Sequence, residues 1–393
     1  MKKYFLYLAP LLLLFSSTHL FAQADSTDKT IRVGLFAPIY LDSVFANGQY
    51  KYKDQMPKIV IPGLDFVEGS QIALDTIRTT VPVKVSVYDY KSANQTISKL
   101  ILSNTFDSLD IIIGSVGPAE FKQLADIALK KNIPFISATY PNDGGITANP
   151  NTIILNATLN THCSGIYNYL VKALPTSKIT LLKKQGVVEE RIAAQFTKLN
   201  TGNTGKPLLS ISTNLLKDSF DITAIEKQLD STRVNTIIAG TLDENYGKRI
   251  ASFCAVLSKK YTINLIGMPN WDGIKDFSKP DYKNLPIFYS ASFYNDEADK
   301  WSVAIKTVFK ERTNGTAMDM VYKGFESTYY FLSLLLKNKT GFMFNLNDKS
   351  YKVFTDYDIK PVRNNSKSLT PDYFENKKVY IIKKINGQAI KIQ

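Results

Sequence analysis

The residues from Asp110 to Leu159 constrain this chain more than any other stretch. They read DIIIGSVGPAEFKQLADIALKKNIPFISATYPNDGGITANPNTIILNATL. An apolar run, a glycine turn, a helical pattern and a second apolar run are followed by a loop rich in Pro, Asn and Gly and by a third apolar run. Ile111–Ile113 shows no polar alternation, as expected of a parallel strand covered on both faces. Gly114 ends it. Pro118 sits where the first helical turn tolerates a missing N–H, and Phe121, Leu124, Ala125, Ile127 and Ala128 recur at helical spacing until Asn132 and Pro134 stop the pattern. In open sheets built from such units, ligands gather beyond the carboxyl ends of the strands, so Ser115–Pro118 and Ser137–Pro141 are site candidates.

The same alternation runs through most of the chain. Strand Ile31–Ile39, a helix around Gly63–Ile77, strand Val83–Tyr90 and helix Gln95–Leu102 precede this segment. After it come helix Thr161–Leu174, strand Lys178–Leu182, helix Glu189–Leu199, strand Leu208–Ser212, helix Ile222–Leu229, strand Thr236–Gly240, helix Tyr246–Leu257 and strand Ile263–Gly267. Two successive copies of one plan, in a chain of 393 residues, predict an α/β protein with two doubly wound parallel-sheet lobes facing a shared cleft. A long connection bearing Tyr40, Tyr50 and Tyr52 and ending at Pro57 separates the first strand from its helix. Met320–Leu336 is dense in large apolar residues and reads as a core helix interrupted by Lys323 and Glu326. Asn386-Gly387 between two apolar runs marks a hairpin.

The segments GLDFVEGSQIALDTI (63–77), IIIGSVGPAEFKQLADIALKKNIPFISATYP (111–141) and TIILNATLNTHCSGIYNYLVKAL (152–174) follow in order, and MVYKGFESTYYFLSLLLKN (320–338) and KKVYIIKKINGQAIKIQ (377–393) come later. This series resembles the type I periplasmic solute-binding proteins of the branched-chain amino acid ABC transporter class. The resemblance implies two lobes joined by three crossover segments, near 153–156, 288–292 and 353–356. Lobe 1 would then be 25–153 plus 291–353, and lobe 2 would be 154–290 plus 354–393. It also implies a ligand in the cleft, no catalysis and no cofactor. Proteins of this class hold a zwitterion with hydroxyls and free N–H groups at helix N-termini, where the helix dipole favours a carboxylate. Carried onto this sequence, that implies Ser115, Gly117, Pro118, Ser137, Thr139 and Tyr140 on lobe 1. On lobe 2 it implies Thr241, Asp243 and Glu244 after one strand, Asn270, Trp271 and Asp272 after another, and Tyr294, an acid pairing with the ligand ammonium and an aromatic ring covering an apolar side chain. Asp243 also suits the role of helix cap. Two departures stand out. Gly117-Pro118-Ala119 occupies the place of adjacent hydroxyls, and Gly186-Val187-Val188-Glu189 the place of a Tyr-Gly pair.

Lys2, Lys3, the apolar run Phe5–Phe15 and Ala22-Gln23-Ala24 have the layout of a secretory signal peptide cleaved near Ala24, which places the mature chain in the periplasm with no membrane span. The net charge of +13 is spread over short pairs such as Lys130-Lys131 and Lys259-Lys260, a solvated surface and not a nucleic-acid face. With His19 in the signal, His162 is the sole mature histidine, which argues against a histidine metal site. Cys163 and Cys254 leave pairing open. No G-x-S-x-G elbow, phosphate loop or Cys/His metal spacing occurs, so the expectation is not an enzyme. It is an exported binder of a small polar, amino-acid-like ligand that serves an ABC transporter permease. The alternative is a cell-envelope interaction module that keeps the lobes without a transport ligand, which the Tyr40–Pro57 connection would suit.

Overall fold

The computed structural model describes residues 30–53 and 55–393; the expected signal peptide lies outside the described residues. β1 (Ile31–Ala37) leads through α1 (Leu41–Val44) and the hairpin of β2 (Phe45–Ala46) and β3 (Gln49–Tyr50) into α2 (Ile61–Thr76). β4 (Val83–Asp89), α3 (Ile97–Leu102), β5 (Ile111–Gly114), α4 (Pro118–Lys131), β6 (Phe135–Ser137) and β7 (Thr152–Ile154) complete the first pass. The second pass is α5 (Leu159–Ala173), β8 (Lys178–Lys183), α6 (Val187–Thr201), β9 (Ile211–Leu215), α7 (Ile222–Glu226), β10 (Asn235–Ala239), α8 (Glu244–Leu257), β11 (Ile263–Ile266) and β12 (Ile287–Ala291). α9 (Lys300–Thr313), α10 (Asp319–Asn338), β13 (Ile359–Val362), β14 (Tyr373–Asn376), β15 (Tyr380–Ile385) and β16 (Gln388–Lys391) close the chain.

The strands form two seven-stranded sheets, ordered β13-β14-β7-β6-β5-β1-β4 and β16-β15-β12-β11-β10-β8-β9. Each is mostly parallel and covered on both faces, and the side-chain alternation of the strands shows it. Ile111 and Ile113 pack with Val33, Leu35 and Phe331 on one face of the first sheet, while Ile112 packs with Phe121 and Leu124 on the other. Ile237 and Ile238 divide the faces of the second sheet in the same way. α2 and α10 cross at backbone contact: a Cβ on Gly69 would lie 1.9 Å from the Val321 carbonyl oxygen, and one on Gly324 would lie 2.1 Å from that of Phe66. Only glycine fits at these two positions.

Two sequence readings are corrected. β13 and β14 join the first sheet, Phe374 pairing in parallel with Ile153, so 359–376 stays with lobe 1 and the last crossing is at 377–379, not 353–356. Asp372 anchors this return: its carboxylate accepts the Ala148 N–H at 2.9 Å and the Asn364 N–H at 2.7 Å. The strand expected at Leu208–Ser212 begins instead at Ile211. Asn200 explains the shift, since its amide binds both the N–H and the C=O of Leu209 at 2.8 Å and leaves that residue nothing to offer a ladder. The closing hairpin forms as read, with Asn386 and Gly387 at φ 52° and 78°. Cys163 and Cys254 are free thiols buried on opposite faces of the second sheet.

Candidate ligand-binding cleft

Loops at the carboxyl ends of β6 and β7 in the first sheet meet loops after β10, β11 and β12 in the second around a cavity of about 500 Å³. Pro141, Asn142, Asn156, Phe293 and Lys323 line it from lobe 1 and the crossings; Val188, Arg191, Leu242, Pro269, Asn270 and Asp272 line it from lobe 2. His162 and Ser290 form its floor.

That floor is where the crossings are knitted together. The Ala157 N–H, leaving β7, donates to Ser292 Oγ at 2.9 Å, just past β12. His162, from the first turn of α5, spans the same two points, with Nδ1 at 2.9 Å from Ser290 Oγ and Nε2 at 3.0 Å from Ser292 Oγ. Burial disfavours its charged form and lowers its pKa to about 4. The third crossing is tied in by Glu375, whose Oε1 accepts the Thr158 N–H at 2.8 Å and the Thr161 hydroxyl at 2.6 Å, while its other oxygen pairs with Lys377. The Asn376 amide reaches the Leu155 carbonyl at 3.2 Å. Behind the cavity, Glu326 of α10 is fully enclosed and accepts the Phe354 N–H at 2.9 Å and the Thr355 hydroxyl at 2.8 Å; burial raises its pKa.

Of the residues expected at the cleft, Asn270, Asp272 and Pro141, the last residue of the Ser137–Pro141 stretch, line this cavity. Ser115 and Thr139 place their hydroxyls 3.3 Å apart, but Ser115 is buried. Gly117 and Pro118 start α4, and Glu120 in its first turn lies over Gly117, so that a Cβ there would come 3.0 Å from Glu120 Oε2. Lys91 holds that carboxylate at 2.8 Å. Ser137 is fully buried, and Tyr140 packs on Phe121 with ring centroids 4.9 Å apart. On lobe 2, Thr241 is fully buried and donates to Glu189 at 2.6 Å. Asp243 caps α8 through the Tyr246 N–H at 3.0 Å and pairs with Lys184 at 2.5 Å. Trp271 is fully buried beside Phe277 and takes no part in the cavity wall. Tyr294 lines a separate space of about 360 Å³ beyond Phe293. Thr241 and Asp243 have turned back to satisfy their own loop and helix start, while Ser137 Oγ is buried with no hydrogen-bond partner among the described residues. Arg191, Lys323, Asn156 and His162 were not anticipated. The one available hint was a lysine inside a helix dense in large apolar residues.

The sequence model of the periplasmic binding protein family matches residues 61–341. No curated protein matches the chain significantly. Among solved structures, a candidate branched-chain amino acid ABC transporter protein from Rhodospirillum rubrum is similar with a TM-score of 0.66 at 11% identity, covering 93% of this chain and 100% of the other. A branched-chain amino acid ABC transporter ligand-binding protein from Burkholderia xenovorans gives 0.62 at 12% identity, covering 93% and 95%. A solute-binding protein from R. palustris in complex with benzoate gives 0.53 at 14%, covering 93% and 96%. At these identities the structural likeness is one of fold. It agrees with the sequence match over most of the chain and with two mostly parallel sheets meeting at their carboxyl ends: the protein belongs to the periplasmic binding protein family.

Proposed function

We propose that this chain is an exported, non-catalytic solute-binding protein that holds a small polar molecule between its lobes and delivers it to an ABC transporter of the cell envelope. One observation carries the reading: a cavity of about 500 Å³ lies at the carboxyl ends of two parallel sheets, with walls from both lobes and a floor of crossing segments. A solute touching both walls makes its full set of contacts only when the lobes meet, so binding and hinge closure are one equilibrium. The test is a thermal-shift screen of the mature protein against amino acids, short peptides, sugars, nucleotides and organic acids, followed by small-angle scattering on any hit. A ligand of the folded form raises the midpoint, about 2.7 kcal/mol of stabilisation being expected at a hundredfold excess over Kd, and reduces the radius of gyration. Silence across the panel refutes the proposal.

The second reading, an envelope interaction module, is favoured by one feature. The Asp89 carboxylate gathers the N–H groups of Ile39, Tyr40 and Leu41 at 3.0, 3.1 and 2.8 Å, fixing a turn from which the β2–β3 hairpin projects. Phe45, Tyr50, Tyr52, Met56 and Ile59 are exposed there. Under this reading the panel is silent and deletion of 45–52 abolishes recovery of a cross-linked envelope partner.

A further inference from the structure

Resting on the solute-binding reading, we infer that the ligand is a monocarboxylic acid without an ammonium group, its carboxylate held between Arg191 of lobe 2 and Lys323 of lobe 1. The first support is what the helix starts have become. Of the helices that begin at the carboxyl ends of strands, α4, α5, α6 and α8 each have an acid at their start, which for α5 is supplied by β14. Glu120 lies over the start of α4. Glu375 takes the Thr158 N–H and Thr161 hydroxyl of α5, Glu189 lies over Gly186 at the start of α6, and Asp243 caps α8. A Cβ on Gly186 would come 2.1 Å from Glu189 Oε2. At both departures noted in the sequence the structure uses one device, Gly117-x-x-Glu120 and Gly186-x-x-Glu189: a glycine opens the space and the glutamate three residues on fills it. A ligand carboxylate brought to these helix starts would meet negative charge.

The second support is the charge that remains. Among the described residues, neither Arg191 nor Lys323 has a carboxylate within ion-pair distance, yet both line the cavity, one from each lobe. Lys323 also lies 5.5 Å from the centre of the Phe293 ring. The acid of the cavity wall, Asp272, has its pKa raised by desolvation; the Tyr289 hydroxyl donates to it, and Lys323 and Lys384 oppose Asp319 in the field around it. With two cations against this one acid, the wall carries at least one positive charge in excess. Pro141, Leu159, Val188, Leu242 and Phe293 supply apolar surface for the body of the acid. A carboxylate reaching both cations neutralises the excess and joins the lobes. An ammonium on the next carbon would be placed against the same cations.

The experiment uses matched triplets on the mature protein, by calorimetry and thermal shift: 4-methylpentanoate, leucine and 4-methylpentanamide, and 3-phenylpropanoate, phenylalanine and 3-phenylpropanamide. The acid of at least one triplet binds, with its amino acid and amide at least tenfold weaker. Arg191→Gln weakens the acid at least tenfold and leaves the ligand-free melting midpoint unchanged, because this side chain is exposed and without an ion-pair partner among the described residues; Lys323→Gln does the same to binding. Equal binding of leucine or the amide, or acid binding that survives Arg191→Gln, overturns the inference. Silence of all six compounds beside a sugar, peptide or nucleotide hit in the wider panel overturns it while leaving solute binding in place. Silence in both overturns both.

Discussion

His162 offers the most quantitative test of how the crossings are held. Its imidazole is buried between two serine hydroxyls and its pKa falls to about 4, against an ordinary value of 6.5. Between these values the unfolded chain carries a proton on His162 that the folded chain does not. The unfolded state thus binds more protons, and stability is lost as the pH falls through this window. At pH 5 the unfolded imidazole is about 1.5 units below its pKa, which corresponds to about 2 kcal/mol; at pH 7 the contribution is close to zero. His162→Gln keeps a neutral donor and acceptor but has nothing to titrate. At pH 7 the variant should be less stable by about 1–3 kcal/mol, the cost of hydroxyls left without good partners. At pH 5 that gap should shrink by about 2 kcal/mol, because the parent alone loses the histidine contribution. Burial raises the Asp65 pKa to about 6, a shift of opposite sign, but Asp65 is present in both proteins and cancels from the difference. Urea unfolding of both proteins at pH 7 and pH 5 measures it. Parallel pH profiles would refute the argument that this imidazole is held neutral.

Three further outcomes test the packing. Gly69→Ala should destabilise the protein by at least about 3 kcal/mol in urea unfolding, since the new methyl meets the Val321 carbonyl and not a side chain that can move; a cost below about 1 kcal/mol would show that α2 and α10 do not cross as described. Trp271→Ala should cost about 3–5 kcal/mol by the same measurement. Trp271→Phe should cost far less, because it removes an indole N–H that has no acceptor among the described residues; for binding, both variants should retain ligand affinity wherever they fold. Burial pushes the Cys163 and Cys254 thiols up to about 12, so Ellman's reagent should find no reactive thiol in the native protein and two in denaturant. One equivalent or none after unfolding would contradict two free buried thiols.

Much of the architecture is legible along the chain because its signals are local. Ile111–Ile113, the Pro118 helix start, the Asn132–Pro134 stop and the Asn386-Gly387 turn each act through neighbours in sequence, and each forms as read. The return of 359–376 to lobe 1 was not legible, because a short edge pair carries no mark of which sheet it will join. Asp372 decides that by binding backbone more than two hundred residues away. The hydroxyls and acids expected at strand ends lie at the carboxyl ends of the sheets, where Thr241 and Asp243 bind groups of their own loops and helix starts. From sequence alone, an acid at a helix start could serve the ligand or its own backbone.

The sequence by itself determined the class of this protein: alternating periods of apolar residues, punctuated by glycine and proline, can satisfy their backbone hydrogen bonds and bury both sheet faces only as strand-and-helix repeats. The tertiary structure alone decided the chemistry of the cleft. Whether a charge is spent or left over depends on which distant group lies beside it, and so Glu375 and Asp243 were consumed by helix starts, Glu120 by Lys91 and Glu189 by Thr241, while Arg191 and Lys323 were left facing the cavity.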